Sequence, residues 1–357
     1  MSPSNPPNPA RAWADVSLAA LRENARIIQR TAGSRLLPMV KADGYGVGAV
    51  AVARTLEQLD PWGYGVATLE EAGELRAAGI DRPVVVFTPA VAGQEAQYAR
   101  VGARATIGDH EALQAWVASG DAFHLEVDTG MARSGFRWDD ADALAAAAVL
   151  VAAAPGWEGA FTHFHSAETD RAATALQWER FAGALAAFPR RPQLLHAANS
   201  AAALAGSGWA ADLVRPGIYL YGGDAGGPAP SPVVALRAPV VAVRRLHPGD
   251  TVSYGASWTA SAPCRVATLA IGYADGVPRG LSGRGEVELA GVRTPILGRV
   301  TMDLTMVLAA AATRVGDVAT VYGGIIGLDE QARRAGTVSY ELLTAIGRRV
   351  PRRYREA

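Results

Sequence analysis

Residues Leu36–Gly79 read LLPMVKADGYGVGAVAVARTLEQLDPWGYGVATLEEAGELRAAG and hold two rounds of one pattern. An apolar run, LLPMVKA, gives way to an alanine-rich segment; a second run, GYGVAT, gives way to LEEAGELRAAG. Short β-type runs alternating with helix-patterned segments predict parallel strands joined by crossover helices. The alternation continues through PVVVFT, RATIG, FHLEVDTG, WEGAFTHFH, PQLLHAANS and LVRPGIYLYG. Eight such runs between residues 35 and 221 predict an α/β barrel of the (β/α)8, TIM-like type.

After Tyr221 the texture changes. GGDAGGPAPSP is a Gly/Pro-rich linker, and beyond it VVAVRRL, TVSYG, RVATLAIGY, EVELAGVRTPILG and DVATVYG alternate with HPGD, SGRG and AGV turns. That spacing predicts a smaller, mostly antiparallel β-domain. The expected division is a barrel over 13–229 and a β-domain over 230–357, with residues 1–12 a candidate addition to the latter.

Composition narrows the function. With 34 basic and 34 acidic residues among 357, the chain offers no electrostatic excess for nucleic acid or another polyanion. A single cysteine, Cys264, excludes an internal disulfide and any multi-cysteine metal site. The Pro/Asn-rich start lacks the basic and apolar regions of a signal peptide, and no window approaches about 18 uninterrupted apolar residues. The expectation is a soluble cytoplasmic protein with no membrane partner.

Among the 34 basic residues only Lys41 is a lysine. Compositional drift explains a preference for arginine, but an arginine cannot lose its proton, attack a carbonyl and form a Schiff base. Lys41 ends the first expected strand, where barrel enzymes place functional groups. On spacing alone, Ser200 is a helix N-cap before AAALAG as readily as a phosphate contact, and Tyr254 is a packing residue.

The stretch VKADGYGVG resembles the cofactor-lysine motif of the alanine racemases, pyridoxal-phosphate enzymes of the barrel-plus-β-domain type. VDTGMARSGF, THFHSAE, HAANSAA, VRPGIYLYG, VSYGASWTA, IGYADGVPRG, GRVTMD and GTVSYE resemble further signatures of that family in the same order. The resemblance implies interconversion of L- and D-alanine by two bases, Lys41 on one face and Tyr254 from a partner subunit on the other. It implies a homodimer with composite sites, and D-alanine for peptidoglycan as the product's use. Serine racemisation, or a broad range of small amino acids, stays open as an alternative.

The same resemblance assigns pyridoxal 5'-phosphate to Lys41, Tyr45, Ser200, Gly217 and Ile218. It sets Arg215 against the pyridine nitrogen with His163 supporting it. An arginine there has no readily shared proton and makes a weaker electron sink than a carboxylate-protonated ring would. Arg133, Met302 and Asp303 fall beside the substrate, and Glu168, Tyr273, Arg279 and Arg299 along the entrance corridor.

Several positions depart from the family: Asp43, Gly44 and Val47 replace commoner residues in the lysine motif, Glu168 stands where the acidic corridor residue is usually Asp, and two further departures matter more. Glu126 stands where many members carry a carbamylated lysine, and it shares a strand face with His124 and Asp128. As a ready-made anion it is expected to hold Arg133; pairing with another arginine is the alternative. Arg348 stands where many members have a tyrosine that touches the phosphate. Three rival readings remain: a metal-dependent hydrolase built on the His163–His165 pair, a non-catalytic pyridoxal-phosphate-binding protein, and a fold-related decarboxylase. The β-domain carrying Tyr254 argues against the second, and missing motifs against the third.

Overall fold

The computed structural model describes residues 11–356, so the first ten residues of the expected 1–12 addition lie outside the described residues. Eight parallel strands form the first layer: Arg35–Leu36, Tyr64–Val66, Val84–Pro89, Arg104–Ile107, Phe123–Asp128, Trp157–Phe161, Leu194–His196 and Leu213–Val214. Each pairs with the next, the last pairs with the first, and a parallel bridge from Met39 to Gly65 closes the barrel. All eight coincide with the runs read from the sequence.

The crossover helices begin where side-chain acceptors meet free backbone N–H groups. Asp109, Asp140, Asp170 and Asn199 each accept from the amide three residues on, and Thr68 with Glu71 forms a capping box. Ser200 is thus the first residue inside its helix and Asn199 the cap; the expected capping role belongs one position earlier, which frees the serine hydroxyl.

The second layer is built on the long strand Val234–Leu246, which pairs antiparallel with Cys264–Leu269 and Val318–Tyr322. The hairpin Glu286–Leu289/Val292–Pro295 and the strand Thr305–Leu308 extend it, again antiparallel. Trp13–Ser17 also joins this sheet, antiparallel to Val234–Leu246 and parallel to Arg352–Arg355. Among the described residues the chain therefore lies first in the second sheet and crosses into the barrel after Ser17, later than the expected boundary at residue 13. Arg11 and Ala12 bond to Asp275 and to the carbonyl of Ala270 in the same layer.

Within the expected strand TVSYG, only Thr251–Val252 is extended. Ser253 turns into the left-handed region at φ 70° and Tyr254–Ala256 forms a short 3-10 turn. That turn lifts Tyr254 out of the sheet, and its side chain is 72% exposed. No helix among the described residues is long and apolar enough to cross a membrane.

Candidate active site

A cavity of about 350 Å3 opens at the C-terminal end of the barrel strands. Lys41, Tyr45, Arg133, His163, Ser200, Arg215, Gly217 and Ile218, all singled out from the sequence, line it. Barrel geometry explains the gathering, because each residue follows or ends a strand and eight strand ends converge on one mouth.

The backbone after Lys41 is unusual. Ala42, Asp43, Gly44 and Tyr45 have φ between 52° and 60°, a full turn of left-handed helix. Such a conformation costs roughly 1–2 kcal/mol for each non-glycine residue and persists only when its surroundings over-determine it. Here they do. Glu71 accepts from the Ala42 and Ala67 amides at 2.6 Å each, and Asp43 Oδ1 accepts from the Ala49 amide at 2.9 Å. Arg352 donates to the Gly46 carbonyl, the Tyr354 hydroxyl donates to the Val47 carbonyl, and the Tyr45 ring stacks on Tyr221 at 4.5 Å. The turn aims Lys41 and Tyr45 into the same cavity.

Burial holds the Lys41 amine below the ordinary lysine range; Arg133 pushes it further down, Glu71 opposes, and Arg215 adds a smaller depression. A lysine that sheds its proton more readily is a nucleophile and a proton carrier. Burial raises the Tyr45 phenol far above its usual value, so its hydroxyl is a neutral donor. The Ser200 hydroxyl accepts from the Gly217 amide at 2.9 Å, and a Cβ on Gly217 would collide with the Tyr45 hydroxyl. Two hydroxyls around a glycine that leaves room between them suit a phosphate.

Arg215 is 4% exposed. Its Nη1 donates to His196 Nδ1 at 2.9 Å and to the His196 carbonyl at 2.7 Å; Nη2 donates to the Thr162 and Ala197 carbonyls and lies 3.2 Å from His163 Nδ1. Only Nε makes no hydrogen bond among the described residues. Burial, opposed by Glu126, pushes the Arg215 guanidinium down to about 9. His163 is pushed down to about 3, by burial first and then by Arg215, Arg133 and Lys41. The cations around this imidazole, Arg215, Arg133 and Lys41, repel a divalent metal. Moreover, the strand ends at Phe161, so the H-x-H pair does not share a face: His165 is exposed and bonds Ser166. Neither observation supports a metal hydrolase.

Glu126 is 4% exposed, with Oε2 accepting from Ser134 Oγ at 2.7 Å and Oε1 lying 4.0 Å from Arg133 Nη2. Its nearest partner is the serine, and the Arg133 contact is a loose ion pair. Burial raises the Glu126 carboxyl, while Ser134, Arg133 and Arg215 pull it down.

The remaining expected residues do not line this cavity. Tyr254, Tyr273, Arg279, Arg299 and Met302 are exposed on the second layer. Asp303 is held by Arg349 at 2.6 Å. Glu168 is exposed near Tyr340, whose phenol is raised to about 12 by burial and then by Glu168 and Asp329. Arg348 is also exposed and outside the cavity, which corrects the expectation for that position. The ring that does line the cavity there is Tyr340, carried by the helix Ser339–Thr344 with its centroid 6.0 Å from that of Tyr45. Tyr340 sits inside GTVSYE, a run already noted in the sequence, so the signal was present. Asn199 likewise sits inside HAANSAA, whereas Thr344 and the clamp made by Glu71 carried no motif of their own.

A barrel whose mouth gathers a depressed lysine, two hydroxyls beside a glycine and a buried arginine, followed by an antiparallel β-domain, defines the barrel-plus-β-domain class of enzyme. Comparison narrows the class. Residues 16–225 match the model of the alanine racemase N-terminal domain and 233–354 that of the C-terminal domain. An alanine racemase of Sorangium cellulosum is 38% identical over 96% of this chain and 98% of its own. The crystal structure of a biosynthetic alanine racemase from Pseudomonas aeruginosa superposes with a TM-score of 0.89 at 34% identity, covering 97% of this chain and 100% of that one. A Bartonella henselae alanine racemase crystallised with covalently bound pyridoxal phosphate gives 0.91 at 29% identity, covering 97% and 100%. The chain belongs to the alanine racemase family.

Proposed function

We propose that this enzyme interconverts L- and D-alanine with pyridoxal phosphate carried on Lys41. The observation that carries the reading is the placement of the chain's single lysine, depressed by burial, in one cavity with Tyr45, Ser200, Gly217 and Arg215. The residues fit the cofactor: the hydroxyl-and-glycine cradle suits its phosphate, and the unpartnered Arg215 Nε suits its ring nitrogen. When bound, pyridoxal phosphate withdraws electrons from the substrate and acidifies the bond to the Cα hydrogen.

The protein's own groups do the rest. Arg133 draws the substrate carboxylate, with Glu126 behind it as a fixed anion in place of a carbamylated lysine. Arg215 keeps its proton and so limits the electron sink, which favours return of the Cα proton over side reactions. Racemisation removes a proton from one face and returns it to the other, so one base cannot serve. Lys41 Nζ holds the proton on one face, and Tyr254 of the partner subunit supplies the second base. Support for that composite site comes from the exposed position of Tyr254 together with Met302 and Tyr273, off the Lys41 cavity of their own chain. The likeness to the biosynthetic Pseudomonas enzyme supports supply of D-alanine to peptidoglycan as the role.

Incubation with L-alanine followed by chiral chromatography tests turnover, and borohydride reduction followed by peptide mapping tests the attachment. D-alanine and an adduct on residue 41 are expected. Colourless protein, or no interconversion of any small amino acid, refutes the reading.

A further inference from the structure

Arg215 heads a buried chain of hydrogen bonds that runs down the inside of the barrel, away from the cavity. Its Nη1 donates to His196 Nδ1 at 2.9 Å, His196 Nε2 is 2.7 Å from His124 Nδ1, and His124 Nε2 is 3.2 Å from Glu158 Oε2. Glu158 also accepts from Arg104 Nε at 3.3 Å. Both histidines are fully buried. Phe161 stacks on His196 at 5.0 Å, Trp62 tilts over His124 at 5.7 Å, and the His124 ring lies flat on Gly159, where an added Cβ would come within 2.5 Å of Nδ1.

The two ends dictate every proton between them. A guanidinium only donates, so His196 Nδ1 is an acceptor and Nε2 carries the hydrogen. That hydrogen points at His124 Nδ1, which must accept, leaving the His124 Nε2 hydrogen for Glu158. Both rings are neutral, in keeping with the downward shift that burial imposes on each.

We propose that Glu158, His124 and His196 are positioning residues that lock the Arg215 guanidinium so that Nε faces the cofactor ring nitrogen, a role resting on the reading of this cavity as a pyridoxal-phosphate site. Removing the Glu158 acceptor strands the His124 Nε2 hydrogen in an apolar setting. Flipping both tautomers cures that but sets a His196 Nδ1 hydrogen against an Arg215 Nη1 hydrogen, donor against donor. The guanidinium then leaves its place.

The test loads the full-length chain with pyridoxal phosphate and compares Glu158→Leu, Glu158→Gln and Gly159→Ala with the parent. Gln keeps a carbonyl acceptor toward His124, and its spectrum should match the parent. Leu removes the acceptor and Ala displaces the His124 ring; both should shift the absorbance maximum of the bound cofactor. Both should also lower kcat about tenfold, a loss typical of outer-shell partners, with KM for alanine unmoved. Leu and Ala variants that lose only thermal stability and keep the parental spectrum and kcat overturn the relay. A parent with no borohydride-sensitive visible band overturns the cavity reading instead, so the two failures are distinguishable.

Discussion

At the residue scale, burial displaces Lys41 and Glu126 from their ordinary titration ranges in opposite directions, each toward its neutral form. Lys41 is held low, so at a given pH more of it is the neutral amine that captures an aldehyde. Capture of pyridoxal phosphate by cofactor-free protein should accelerate with pH and level off below the ordinary lysine value of 10.5, as stopped-flow absorbance will read. A midpoint at or above that value contradicts the depressed amine. Glu126 is held high, and the sign follows: a carboxyl whose folded pKa exceeds its unfolded one destabilises the fold when ionised. Its favourable contribution is present at pH below the unfolded value of 4.5 and is lost as pH rises through the raised folded value. Glu126→Gln should therefore match the parent in acid, exceed it in denaturation midpoint near neutrality, and raise KM for alanine because Arg133 loses its anion. A variant less stable than the parent at neutral pH shows that the charge of Glu126 is needed to hold the barrel mouth.

At the element scale, the left-handed turn after Lys41 is where sequence and structure part. VKADGYGVG announced a lysine site, but propensity offers no reason for Ala42, Asp43 and Tyr45 to adopt positive φ; contacts from Glu71, Arg352 and Tyr354, remote in sequence, impose it. Tyr254 illustrates the same limit: VSYG alternates like a strand, yet the backbone turns at Ser253 to φ 70°, where the Ser253 hydroxyl donates to the Arg299 carbonyl, a partner remote in sequence. Gly46 shows what the turn requires. It sits at φ 78°, and a Cβ would collide with the Leu343 carbonyl on the helix that carries Tyr340. Gly46→Ala should lose at least about 2 kcal/mol in denaturant unfolding, from backbone strain plus the displaced helix. It should also weaken pyridoxal-phosphate affinity, because Tyr340 moves with the helix. A loss confined to a few tenths would mean that the turn and helix yield easily.

At the scale of the whole molecule, the barrel was legible because eight hydrophobic runs recur with helix-patterned segments between them, and convergence of strand ends then placed eight site residues together. The second layer was legible only in class. Trp13–Ser17 joins it through pairings with residues more than 200 positions away, which no local pattern announces. A single chain also leaves its chemistry divided: Lys41 lines a cavity, while Tyr254 stands 72% exposed on the other layer. If each site takes its lysine from one protomer and its tyrosine from the other, sedimentation should give about twice the 37.1 kDa chain mass. Lys41→Ala and Tyr254→Phe proteins should each be inactive as homodimers. Unfolded together in equal amounts and refolded, half of the dimers are mixed, and each mixed dimer holds one intact Lys41–Tyr254 pair and one site lacking both. Activity should return to about a quarter of the parental value, by the random pairing of a symmetric dimer. Mixing that restores nothing, while the mixed dimer demonstrably forms, would place both bases on the same chain.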